Sequence, residues 1–139
     1  MLFPDYRPRR MRQNDAFRRL VRETTLSVDD LILPLFAIGG RGVRNPIPSL
    51  PGQYQLSLDE LVKTAAEARE LGIPALILFG LPDKKDAMGT GAYAKNGIVQ
   101  RAVREVKQKV PEMLVITDVC LCQYTDHGHC GMVEGNRVD

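Results

Sequence analysis

Three short apolar runs punctuate the chain, and two amphipathic stretches lie between them. Leu31 to Ile38 is almost wholly apolar and stops at Gly39-Gly40; Ile73 to Phe79 and Met113 to Thr117 have the same character. Runs of this length, bounded by turn residues, predict strands buried on both faces. After the first run, Leu58, Leu61, Val62, Ala65 and Ala68 recur at helical spacing. Ser57-Leu58-Asp59-Glu60 predicts a capping box at the start of that helix, and Gly72 its end. After the second run, Val99, Ala102, Val103, Val106 and Val110 trace another helical face, opened by Asn96 as cap and stopped by Pro111. Ahead of the first run, Asn14 caps a short helix over Asp15 to Arg22, while Pro4 and Pro8 keep residues 1–12 extended. Gly42 to Gln55, with three prolines and two glycines, reads as one long loop, and Pro82 to Lys95 as a second.

The predicted order is arm, strand, helix, strand, helix, strand, loop. Strands alternating with helices imply an α/β fold with a parallel sheet. The pattern fits an open doubly wound sheet and a barrel equally well.

Charge adds one distinction. The net charge is only +2, but residues 1–22 hold seven arginines against Asp5 and Asp15, leaving −3 for the rest. A basic arm on a mildly acidic body suits docking to an acidic surface. The arm has few aromatics and no nucleic-acid motif, so a subunit contact is the expected partner rather than nucleic acid. No run of about twenty apolar residues predicts a membrane span, and no apolar signal core follows the early arginines. The expected compartment is the cytoplasm. Gly39-Gly40-Arg41-Gly42 and Gly89-Thr90-Gly91 make neither a dinucleotide fingerprint nor a Walker loop and read as turns. Asp83 and Asp86, with Lys84-Lys85 between, read as a solvated loop, and Lys107 and Lys109 as partners of a helix dipole.

The chemistry is concentrated in one place. All three cysteines and both histidines fall within the eleven positions from Cys120 to Cys130. The spacing is C-x-C-x7-C with H-x-H inside the last interval, directly after the third predicted strand. If the extended backbone continues, Asp118, Cys120 and Cys122 share one side of it. A glycine-bracketed loop can then return Cys130 as a third sulfur. Soft thiolates suit zinc better than magnesium or calcium. A structural zinc site takes four protein ligands, whereas a catalytic one leaves a position open. Three cysteines fit the second case, and three cysteines with His127 or His129 fit the first. An odd cysteine count argues against a disulfide framework.

This segment resembles the zinc signature of the porphobilinogen synthase (delta-aminolevulinic acid dehydratase) family. Arg7-Pro8-Arg9-Arg10-Met11-Arg12 with Arg18-Arg19 resembles the family's amino-terminal arm. Asp30 to Phe36 resembles its first barrel strand, Ile47-Pro48-Ser49-Leu50-Pro51-Gly52 its I-x-S-M-P-G turn, and Leu78 to Pro82 with Lys84-Lys85-Asp86 its second strand end. Asn96 to Ala102 resembles the opening of its next helix. Gly39 to Gly42 departs from the acidic residue and single glycine that many members carry.

The resemblance implies the N-terminal part of a (β/α)8 TIM barrel, with residues 1–25 as arm and 26–139 as the first three β/α units. It implies condensation of two 5-aminolevulinate molecules to porphobilinogen with loss of two waters. Zinc would sit on Cys120, Cys122 and Cys130, with Asp118 catalytic beside it and His129 supporting the site without ligating. It also implies a homo-oligomer, an octamer, assembled through the arm, and allows an Mg2+ site outside these residues. The family's Schiff-base lysines lie on later strands. None of Lys63, Lys84, Lys85, Lys95, Lys107 or Lys109 sits in a matching motif, so these 139 residues alone are expected to be inactive. A complete protein of this length would instead be a non-catalytic zinc-binding or oligomer-forming module.

Overall fold

A computed structural model describes residues 9–135 and 137–138. Helix α1 (Asp15–Leu20) is followed by strands β1 (Ile32–Ile38), β2 (Arg44–Pro46) and β3 (Tyr54–Ser57), then helix α2 (Leu58–Glu70) and strand β4 (Ala75–Gly80). Next come α3 (Thr90–Tyr93), α4 (Ile98–Lys109) and β5 (Leu114–Thr117), and a terminal hairpin of β6 (Val133–Glu134) and β7 (Arg137–Val138). Five strands form one sheet in the order β2-β3-β1-β4-β5. β1, β3, β4 and β5 run parallel, and β2 is antiparallel at the edge.

The three expected strands and two main helices are present. The sheet has two strands more than the apolar runs predict, because Gly42 to Gln55 is not a plain loop. Its prolines are placed where a strand tolerates them. Pro46 ends the edge strand β2, where a missing N–H breaks no ladder, and Pro48 and Pro51 lie in the turn between β2 and β3. Arg44 stacks on the Tyr54 ring at 4.1 Å, tying the two strands together.

α2 and α4 cover one face of the sheet. Leu61, Ala65 and Ala68 from α2, and Ile98, Ala102 and Val106 from α4, pack on Leu35, Ala37, Leu76 and Leu78. The helical faces are therefore those the spacing predicts. The opposite face alternates in register: Ile32, Phe36, Ile77 and Phe79 are exposed or half-buried, with the two phenylalanine rings stacked at 5.4 Å. Among the described residues β1 and β4 are thus buried on one face only, not on both, and β5, at the sheet edge, has no buried residue.

Two predicted caps are replaced. The Ser57 hydroxyl does not cap α2; it accepts from the Val43 N–H at 2.9 Å and donates to Asp59 at 2.6 Å, while Glu60 pairs with Lys63. Ser57 is fully buried, so its hydroxyl serves the loop packed against it. Asn96 is one residue too early: Gly97 is the cap of α4, and the Asn96 side-chain oxygen accepts from Arg104. A capping box is found instead at Ser27, whose hydroxyl accepts from the Asp29 N–H while Asp30 accepts from the Ser27 N–H. Gly72 does end α2, at φ +83°. Its N–H reaches Arg69 and that of Ile73 reaches Ala68, satisfying the last carbonyls. Lys107 does more than face a helix dipole, since its ammonium donates to the carbonyls of Pro111 and Met113 and holds the turn into β5.

Residues 1–8 of the arm lie outside the described residues. Arg10–Arg12 is a 3-10 turn rather than extended chain. Asn14 caps α1 as expected, accepting from the Phe17 N–H at 3.0 Å. Nothing from residue 9 to residue 32 is buried, and Leu20 and Leu26 are 77% and 82% exposed. Among the described residues no helix is long and apolar enough to cross a membrane.

Candidate metal centre

β5 leads into the cysteine segment. It ends at Thr117, on the side of the sheet where β1 and β4 also end. The backbone then leaves the sheet, so Asp118, Cys120 and Cys122 do not continue a strand as the alternation assumed. A turn closes instead: the N–H groups of Tyr124 and Thr125 both donate to the Leu121 carbonyl, at 2.8 and 3.0 Å. That turn folds Cys122 back on Cys120, sulfur to sulfur at 2.8 Å. The returning loop puts Cys130 at 3.0 Å from Cys120. All three sulfurs lie within 4.8 Å of one another, and none is in a disulfide. Three ligands on a tetrahedral ion at bond lengths of about 2.3 Å stand about 3.8 Å apart, so small side-chain rotations separate these sulfurs enough to receive one.

Proton sharing sorts the thiols. Hydrogen bonding to Cys122 and Cys130 pushes the Cys120 thiol up to about 12. The bond from Cys120, aided by the N–H groups of Cys122 and Leu121, brings Cys130 down to about 7. Cys130 is thus the sulfur poised to ionise near neutrality, and it is also the exposed one.

The histidines stay out of the cluster. His127 and His129 stack on each other with centroids 5.8 Å apart. The His127 ring reaches the Ala87 carbonyl at 3.3 Å and accepts from the His129 N–H at 3.2 Å. Neither ring nitrogen is grouped with the sulfurs among the described residues.

The Asp118 carboxylate is turned toward Gln123, whose amide donates to it at 2.6 Å. The Gln123 carbonyl oxygen accepts from the Gly80 N–H at 3.1 Å, so one side chain bridges the ends of β4 and β5. Tyr124 packs beneath; burial, then Asp118, then Cys120, hold its phenol above the ordinary value. Asp118 and Cys120 also border a cleft of about 590 Å³ whose other walls include Tyr93, Val99, Val103 and Leu121.

Sequence reasoning missed three supports: Gln123, Thr125 and Asp86. Thr125 is buried, and its hydroxyl donates to the His129 carbonyl. Asp86 is not merely part of a solvated loop. Its carboxylate accepts from the N–H groups of Met88 and Thr90 and from the Thr90 hydroxyl, and its backbone pairs with the cysteine loop. An aspartate ahead of Gly89-Thr90 at a helix start is a turn signal that could have found it.

A family model described as delta-aminolevulinic acid dehydratase matches residues 5–139. The chain belongs to the delta-aminolevulinic acid dehydratase family. It is 56% identical over 133 residues to the delta-aminolevulinic acid dehydratase of a Synechocystis species, covering 96% of this chain and 41% of that protein. It is 51% identical to the dehydratase of Ruminiclostridium josui, covering 96% of this chain and 65% of that one. Among solved structures it is similar to the Toxoplasma gondii delta-aminolevulinic acid dehydratase (porphobilinogen synthase) in complex with the reaction product porphobilinogen. There the TM-score is 0.88 at 39% identity, covering 96% of this chain and 38% of that one. The chain therefore spans about two fifths of the Synechocystis and Toxoplasma dehydratases.

Proposed function

We propose that this chain is the metal-bearing amino-terminal part of a porphobilinogen synthase, which condenses two 5-aminolevulinate molecules to porphobilinogen with loss of two waters. The observation that carries the reading is the convergence of three cysteine sulfurs beside Asp118 at the carboxyl end of a parallel strand, in a chain of this family. Barrel enzymes place their chemistry at that end.

Zinc is the metal that three soft sulfurs select over magnesium or calcium. Cys120, Cys122 and Cys130 would hold it, since neither histidine ring is grouped with the sulfurs among the described residues and the His127 ring meets the Ala87 carbonyl. When bound, zinc supplies Lewis acidity toward a substrate oxygen or amine. Asp118 accepts a proton from, or orients, the amino group of the substrate beside it. Gln123 holds the Asp118 carboxylate in one orientation, and the buried Tyr124 floors the site against water. The substrate-anchoring lysines are not among the six of this chain, so these residues contribute a half-site.

Residues 26–139 are read as the first three β/α units of a (β/α)8 barrel. The apolar, half-exposed face carrying Phe36, Ile77 and Phe79 is what a barrel interior would enclose. Residues 1–25 are read as an arm that joins a neighbouring subunit in a homo-oligomer, an octamer. The exposed Phe17, Leu20 and Leu26 favour that role. A cytoplasmic setting goes with the reading, because there the thiols stay reduced.

The test is the metal content of the full-length protein and of its Cys120→Ala, Cys122→Ala and Cys130→Ala variants. About one zinc per chain is expected at this site in the wild type, and its loss in each variant. Unchanged zinc in all three variants contradicts the assignment.

A further inference from the structure

Two loops that are distant in sequence meet beside the sulfur cluster. The Asp86 N–H donates to the Tyr124 carbonyl at 3.3 Å, and the Asp126 N–H donates to the Asp86 carbonyl at 3.2 Å. These bonds form a one-residue parallel bridge between Asp86 and Thr125. Just beyond that bridge, the Ala87 carbonyl meets the His127 ring. The cysteine loop therefore rests on the loop that follows β4.

The supporting loop takes its shape from one carboxylate. Asp86 Oδ1 accepts from the Met88 N–H at 2.9 Å and from the Thr90 N–H at 3.1 Å, while Oδ2 takes the Thr90 hydroxyl. Its carbonyl also accepts from the Gly89 N–H at 3.2 Å. Gly89 sits at φ +60°, and a Cβ there would meet the side chains of Thr125, Tyr124 and Leu121 at 3.4, 3.6 and 3.7 Å. On the other side of the bridge, the Thr125 hydroxyl donates to the His129 carbonyl at 2.9 Å, one residue before Cys130. Thr125 is only 2% exposed, so this bond is shielded from water. A continuous path runs from the Asp86 carboxylate through Thr125 to the segment that places Cys130. Cys120 and Cys122 need no such path, since the turn after β5 sets them together.

We infer that Asp86 is a positioning residue for the metal site: by fixing the loop after β4 it sets the place of Cys130 relative to Cys120 and Cys122. The inference rests on the metal-binding reading above. Outer partners of metal ligands commonly change affinity by about 10–100-fold when removed.

The experiment measures metal affinity of the full-length protein by chelator competition, with zinc and with cobalt(II), whose thiolate charge-transfer band reports the number of bound sulfurs. Asp86→Ala is expected to weaken binding about tenfold and to diminish the cobalt band. Asp86→Asn retains an oxygen for the Met88 and Thr90 N–H groups and is expected to restore both readouts. Thr125→Val, which removes the hydroxyl and keeps the volume, is expected to act like Asp86→Ala. Asp83→Ala, in the same loop but without a hydrogen bond to the cysteine loop, is expected to bind as wild type. If Asp86→Ala loses its far-UV circular dichroism, Thr125→Val decides in its place. Wild-type affinity and a full cobalt band in the deciding variant overturn the inference. Absence of any thiolate band in the wild type overturns the metal-binding reading itself, which is a different result.

Discussion

Gln123 donates to the Asp118 carboxylate at 2.6 Å while its own carbonyl oxygen takes the Gly80 N–H. One amide thus does two jobs, closing the end of β4 and aiming the acid at the end of β5. Gln123→Ala strips the Gly80 N–H of its partner, and leaving a buried donor unpaired costs about 1–3 kcal/mol. A fall in unfolding free energy of that size is expected by chemical denaturation. Asp118→Asn, which keeps the shape, is expected to leave stability nearly intact and, on the proposed function, to lower the kcat of porphobilinogen formation by the full-length protein by about 10²–10⁴-fold, the range of a lost general acid or base. Full activity in Asp118→Asn would remove Asp118 from the chemistry.

Gly80 is held to glycine by space, not by backbone conformation. A Cβ there would stand 2.6 Å from the Tyr124 hydroxyl, 2.6 Å from Val99 and 2.8 Å from Ile98. The three neighbours belong to the cysteine loop and to α4, so an added methyl pushes the candidate site and the core apart together. Gly80→Ala is expected to cost about 1–3 kcal/mol, as overpacking does, and to weaken zinc binding in the same protein. Thermal unfolding and metal titration check the two effects separately.

The thiols give a pH signature. Cys130 is lowered to about 7 and Cys120 raised to about 12, so in the metal-free protein Cys130 carries the reactive thiolate from near neutrality upward. Iodoacetamide is expected to label Cys130 before Cys120, with a rate that rises as pH passes through about 7. Zinc protects it. In acid the sulfurs regain their protons, so zinc occupancy is expected to fall toward acid pH. Peptide mapping of the labelled protein identifies the site, and labelling of Cys120 ahead of Cys130 would contradict this ordering of the thiols.

Much of this architecture is legible in the sequence because burial and periodicity coincide. Leu61, Ala65 and Ala68, or Ala102 and Val106, can face only one way in a helix, and the structure buries those positions. The cysteine cluster is legible for a different reason: three sulfurs in eleven positions have little structural use apart from metal or redox chemistry. What escapes is whatever depends on contacts across distant segments. The strands β2 and β3 hide among prolines because tolerance for proline depends on which strand is at the sheet edge, a property of the assembled sheet. The Ser57 hydroxyl is lost to α2 because Val43 and Asp59 compete for it. Asp86 and Gln123 look like ordinary surface residues until their loops meet.

The arm gives a prediction about assembly. Residues 9–32 bury nothing of their own, and Phe17, Leu20, Val21 and Leu26 are exposed together. Deleting residues 1–22 from the full-length protein is expected to lower the oligomeric state seen by sedimentation. An unchanged assembly would assign the arm another role.

The measurement closest to the central claim is porphobilinogen formation from 5-aminolevulinate by the full-length protein, before and after zinc is stripped by a chelator and then restored. Turnover is expected to be lost with the zinc, to return with it, and not to return in Cys120→Ala. Undiminished turnover in the stripped protein, or in Cys120→Ala, would contradict a catalytic zinc held by these cysteines.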